Sequence, residues 1–109
     1  MKIKWKTGIV NLKKEQIKHK TGEDYLLKDV VVDCVLGDDE ADKHASGKQR
    51  YERARLATKI YDEPDSDFTV EDIALLKEHV GRKAPALYVK QCWDAMETPL
   101  PTTEPKPVA

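Results

Sequence analysis

The chain has 109 residues and a formal net charge of −1, the length of one domain and a balance that argues against a general affinity for phosphate polyanions. Hydrophobic residues make up 39% and charged residues 36%, which predicts a lean core under a wet surface, while regularly spaced Leu, Ile and Val exclude wholesale disorder. No run approaches the roughly 18 apolar residues of a membrane helix, and MKIKWKTGIV lacks the apolar stretch of a signal peptide.

Residues 2–20 read as extended. Lys2, Lys4 and Lys6 alternate with Ile3 and Trp5, the period of a strand with one covered face. Gly8 disturbs the alternation. Ile9, Val10 and Leu12 then lead through Lys13, Lys14 and Glu15 into a return strand over 16–19, which predicts a β-hairpin whose turn lacks an Asn-Gly or Asp-Gly pair. A first helix follows, because Leu27, Val30, Val31, Cys34 and Val35 share one stripe and Gly37 stands past its end.

Residues 37–46 form an acidic loop. Ser46 caps a second helix running to about residue 62, with Tyr51, Ala54, Ala57, Ile60 and Tyr61 inward and Thr58 at the edge of the stripe; Pro64 ends it. In the third helix, Thr69 is the N-cap, Asp72 completes a capping box, and Phe68 with Ile73 forms a hydrophobic staple. Its buried stripe is Ile73, Leu76 and Val80, closed by Gly81 as C-cap. A fourth helix starts near Pro85 and runs to about residue 97, with Leu87, Tyr88, Cys92, Trp93 and Met96 inward. Residues 98–109, TPLPTTEPKPVA, read as a flexible Pro-rich tail, and no internal repeat is visible. The expected fold is α+β and mostly α: an N-terminal β-hairpin packed on about four short helices, with a single domain over 1–97.

Little in the chain points to chemistry. His19, His44 and His79 fall in different elements, and neither Cys34 nor Cys92 stands at finger spacing from any of them. The two cysteines suit buried, reduced thiols in a cytoplasmic protein. Asp38, Asp39, Glu40 and Asp42 cluster without the ligand order or glycine of an EF-hand. There is no nucleophile elbow and no Gly-rich phosphate loop. We therefore expect no metal, no cofactor and no catalysis.

Charge is laid out in blocks. Residues 1–20 hold seven Lys against Glu15, 21–45 hold eight acids against two Lys, 46–61 hold five basic residues against Glu52, and 62–72 hold six acids. Either neighbouring blocks neutralise one another across the fold, or a polarised surface steers a charged partner. On the second reading the candidate partner-binding residues are Lys2, Lys4, Lys6, Arg50, Arg53 and Arg55. The third and fourth helices suggest a helix-turn-helix, with Arg82 and Lys83 within reach of phosphate, but Pro85, Ala86, Leu87, Tyr88 and Val89 suit packing better than base reading.

The stretch YERARLATKIY followed by FTVEDIALLKEHVGRKAPALYVKQCWDAME resembles small phage- and prophage-encoded proteins of unknown function. Tyr51, Ala57, Ile60, Tyr61, Thr69, Glu71, Asp72, Ile73, Leu75, Lys77, Val80 and Gly81 carry the resemblance. Phe68 and Arg82 depart mildly from it. It implies a phage or prophage ancestry; the small scaffold, the alternating charge, the tail and the lack of chemical motifs then lead us to expect an accessory protein that binds a host protein or a phage assembly component in the cytoplasm of a bacterial host cell, without catalysis. The alternative is a nucleic-acid-associated regulator using the basic N-terminal strands and second helix. No functional residue is implied by the resemblance.

Overall fold

The computed structural model describes residues 1–97; the Pro-rich segment 98–109 lies outside the described residues. Four α-helices follow an extended N-terminal quarter: α1 (Leu27–Leu36), α2 (Gly47–Asp62), α3 (Val70–Lys83) and α4 (Ala86–Glu97), with a 3-10 turn at Glu40–Asp42 between the first two. α1 is the central element and packs against α2, α3 and α4. That is why Leu27, Val30, Val31, Val32, Cys34 and Val35 are all buried. No helix among the described residues is long and apolar enough to cross a membrane.

Among the described residues no two-stranded β-hairpin forms. Three short extended pieces instead touch through single antiparallel bridges, Gly8 with Leu26, Val10 with Gln16, and Lys18 with Asp24. They close into a ring. Ile9 N–H donates to Tyr25 O (2.9 Å), Ile17 N–H to Ile9 O (2.9 Å), and Tyr25 N–H to Ile17 O (2.8 Å). The three residues are evenly spaced along the chain, a short structural repeat that the sequence conceals because its pieces share little beyond one apolar position each. The Gln16 side chain completes the ring: its Nε2 lies 3.0, 2.7 and 3.0 Å from the carbonyl oxygens of Ile9, Ile17 and Tyr25. Each carbonyl has a second lone pair for this extra donor. Gly8 leaves the room, since a Cβ there would stand 1.9 Å from Gln16 Oε1.

The Lys/apolar alternation at the N-terminus is real, but it is not a strand. Ile3 and Trp5 are buried and Lys2, Lys4 and Lys6 are exposed, while Trp5 N–H bonds Ile3 O (3.0 Å) and Thr7 N–H bonds Lys4 O (3.1 Å) in tight turns. The free carbonyls of Trp5 and Thr7 then accept from Lys28 N–H (3.0 Å) and Leu27 N–H (2.7 Å), so the N-terminal segment caps α1. Leu26 stands at the N-cap position without a side-chain bond, and only Asp29, accepting from Leu26 N–H at 2.9 Å, helps locally.

The caps of α2 and α3 are reciprocal boxes, Ser46 with Gln49 and Thr69 with Asp72, and the Phe68 and Ile73 side chains are buried at the entrance to α3. Three details depart from the sequence expectation. α3 does not end at Gly81; it runs on to Lys83 and stops at Ala84, whose extended backbone (φ −90°, ψ 153°) is what a following proline demands. Gly81 instead lets the Trp93 ring lie close, as its missing Cβ would stand 3.1 Å from Trp93 Cζ2. Trp93 thus lies against α3, partly exposed, with its Nε1–H donating to Lys77 O (3.2 Å), and Cys92 and Met96 make the buried side of α4. Third, α2 is rotated: its buried residues are Arg53, Leu56, Ala57 and Ile60, while Tyr51, Ala54 and Tyr61 face solvent. Cys34 and Cys92 are free and buried.

The Gly8–Gln16 fit makes a coupled prediction. Gly8→Ala should destabilise the fold by evicting the amide, and Gln16→Ala should cost about 1–3 kcal/mol. The double variant should then be more stable than the sum of the two losses implies, by about 0.5–3 kcal/mol, in denaturant unfolding.

Candidate functional site

The densest polar chemistry lies where α1 ends. The last carbonyls of a helix have no intrahelical donor, and here they point at neighbouring helices. Arg53 of α2 reaches over: its Nε donates to Val35 O (2.8 Å) and its Nη2 to Gly37 O (2.7 Å). Lys83, from the last turn of α3, donates to Cys34 O (2.9 Å) and also to Gly37 O. Two cations at a helix C-terminus also suit the helix dipole.

Asp42, on the 3-10 turn, supplies the counter-charge. Its carboxylate lies 2.7 Å from Lys83 Nζ, 3.1 Å from Arg82 Nη2 and 3.7 Å from Arg53 Nη2, and accepts from Asp39 N–H at 3.1 Å. Asp38 adds a 3.0 Å pair to Arg53 and Asp39 a 3.4 Å pair to Arg82. Asp42 and Arg53 are buried. Burial alone would raise the Asp42 pKa; the hydrogen bonds from Lys83 and Asp39 N–H and the charges of Lys83 and Arg53 outweigh it and hold the carboxyl well below the usual range.

His79 completes the cluster from inside. Its Nδ1 lies 3.0 Å from Arg82 Nη2 and 2.9 Å from Lys83 Nζ. Both neighbours only donate, so Nδ1 accepts and the neutral ring carries its proton on Nε2. Burial, then the charges of Lys83, Arg82 and Arg53, push the His79 pKa below its ordinary value, against an upward pull from Asp42. The cluster floors a surface cleft of about 520 Å³ between the 3-10 turn, α2 and α3, with His44, Gln49 and Glu78 on its walls.

Chemically this arrangement is closed. Three cations meet three carboxylates, and no group of three His, Cys, Asp or Glu among the described residues is placed to hold a metal. The thiols are not activated. Burial, with Cys34 nearby, pushes Cys92 up to about 12, and burial followed by Asp33 raises Cys34, against a downward pull from Lys83.

The six basic residues singled out in the sequence are not brought onto one surface. Arg53 is buried in the cluster. Arg55 pairs with Glu52 (2.8 Å) and Asp72 (3.2 Å). Lys2, Lys4, Lys6 and Arg50 are exposed and make no ion pair among the described residues. Arg82 and Lys83, which a helix-turn-helix would turn toward phosphate, are held against Asp42.

A second surface emerges from the rotation of α2. Tyr51, Ala54, Thr58 and Tyr61 recur every three or four residues along its outer face, with Tyr51 67% and Tyr61 53% exposed. An open groove of about 610 Å³ runs beside the first three, lined by Tyr51, Ala54, Arg55, Thr58, Lys59 and Glu63. The sequence holds this stripe in plain view but assigns it to the core. No family model, curated protein or solved structure matches the chain.

The charge cluster predicts two acid transitions. The unfolded chain binds a proton at His79 below about pH 6.5, which the folded chain resists, so stability should fall as pH drops from 7 toward 5. Asp42, depressed in the fold, should add a second loss as pH falls below about 4. Unfolding midpoints measured against pH should show both steps. His79→Asn, which keeps an acceptor near Nδ1 without a titrating proton, should flatten the first and leave the second.

Proposed function

We propose that the chain is a binding module, a phage or prophage accessory protein that recognises another protein through the outer face of α2 and carries out no catalysis. One observation carries this reading: an exposed Tyr-Ala-Thr-Tyr stripe on a regular helix, bordered by a groove and by charges. Aromatic residues that are rigid and amphipathic, around small neighbours, are what a protein interface uses at its centre. The dense internal pairing of Arg53, Arg55, Arg82 and Lys83 supports the same reading, because it withdraws the cations a phosphate surface needs. The resemblance to phage and prophage proteins, and a site of action in the bacterial cytoplasm, belong to the proposal.

The alternative, a nucleic-acid-associated regulator, has Lys2, Lys4 and Lys6 in its favour, exposed and without ion pairs among the described residues. The two readings separate in one experiment. Immobilised wild type, Tyr51→Glu and a Lys2/Lys4/Lys6→Gln variant are compared for capture of host proteins and for binding to mixed-sequence DNA at physiological salt. The protein-binding reading expects capture to be lost only in Tyr51→Glu and no DNA affinity in the micromolar range. Micromolar DNA binding by wild type that the Gln variant loses, with a shallower salt slope, would establish the alternative.

A further inference from the structure

From the geometry of α2 we infer that the occupant of its outer face is a second copy of this chain, docked antiparallel about a two-fold axis. This rests on the reading of that face as a protein-binding surface and names its partner.

α2 carries unpaired charge at both ends. Near the N-terminal end of α2, Lys48 and Arg50 are exposed and have no ion pair among the described residues. Asp62 and Glu63, at the other end, are exposed and have none either. Lys48 and Arg50, two residues apart, point to opposite sides of the helix, and Arg50 turns toward the end of α1. Lys48 and Asp62 lie on the side of Tyr51, so this face is basic at one end and acidic at the other. A face of this kind is complementary to itself only when turned end over end. A two-fold axis crossing the helix near Arg55 sets Lys48 of each copy against Asp62 of the other.

The same operation fits the shapes. Ala54 and Thr58 are small, so two helices can approach to the 8–10 Å typical of packed pairs. Tyr51 then lies over the partner's groove beside Ala54, Thr58 and Lys59. Arg55 sits near the axis, where two like charges would repel. It is already paired with Glu52 and Asp72 in its own chain, so the copies meet there without a net clash of charge. An isologous contact is also what a self-complementary patch produces by symmetry: each residue pair occurs twice.

The contact is small. One helix face per copy is below the roughly 800 Å² per partner of a standard stable interface, so the dimer exchanges with monomer at micromolar concentrations.

Sedimentation equilibrium over roughly 5–500 µM tests this, a range suited to a small interface. Wild type should rise from the monomer mass toward twice that value. Lys48→Glu and Asp62→Lys should each remain monomeric with unchanged helical circular dichroism. Mixed in equal amounts, the two charge-reversed variants should associate again, because the reversed end of each meets the reversed end of the other and the two native ends meet as in wild type. Wild type that stays monomeric throughout, variants that associate like wild type, or a mixture that does not recover would each overturn the dimer. The underlying reading is tested separately. A monomeric wild type whose capture of a different protein is abolished by Tyr51→Glu rejects the dimer and keeps α2 as a binding face. A Tyr51→Glu variant unchanged in both self-association and capture rejects the two together.

Discussion

α1 is buried against three helices, yet it has no side-chain cap of its own at either end. Leu26 cannot accept from the first N–H groups, and Gly37 is followed by an acidic loop. A helix end shut away from water without partners leaves groups worth about 1–3 kcal/mol each unsatisfied. The remaining chain answers this need from both sides. The carbonyls of Trp5 and Thr7 take the first donors, and the side chains of Arg53 and Lys83 serve the last carbonyls. The ring of extended pieces stabilised by Gln16 leads the chain into α1, and Gln91 of α4 ties the ring to the helices through paired bonds to Val10 N–H (2.9 Å) and O (2.8 Å).

How much of this could be read from the sequence follows from how local each signal is. The entry to α3 was legible because Phe68, Thr69, Asp72 and Ile73 act on one another across a single turn. The α1 stripe was legible because its apolar positions recur at helical spacing while Asp33 stays exposed. The ring was not, since Gln16 looks like any polar residue of an extended segment and its three acceptors are set by tertiary closure. Gly81 misled for a related reason: a glycine near a helix end suggests a C-cap, but here a tryptophan on another helix requires the space and Pro85 sets the stop. The inward turn of α2 was hidden by Arg53, which any hydrophobic count places outside.

The alternating charge blocks have a mixed outcome. The acidic loop is internal wiring, as Asp38, Asp39 and Asp42 each meet a cation from α2 or α3. Arg55 and Asp72 join the next two blocks across the fold. The buried pairs of Asp42 with Arg53 and Lys83 add little net stability, because desolvation cancels much of the attraction, but removing one partner strands the other at about 3–5 kcal/mol. Their effect is to fix the relative placement of α1, α2 and α3. Lys48, Arg50, Asp62 and Glu63 are left outside this wiring, all on or beside one helix.

The exposure of Tyr51 is a consequence of that placement. Residues two apart on an α-helix point about 200° from one another, so burying Arg53 forces Tyr51 out. Turning α2 to bury the tyrosine would gain about 2 kcal/mol from its ring. It would also strip Val35 O and Gly37 O of a donor and leave the buried Asp42 short of a cation, a loss of several kcal/mol. The cap outweighs the ring, and the monomer cannot recover the apolar surface of the stripe by any rotation it can tolerate. What one chain cannot cover, a partner lying along the same helix face can, without disturbing the cations at the end of α1.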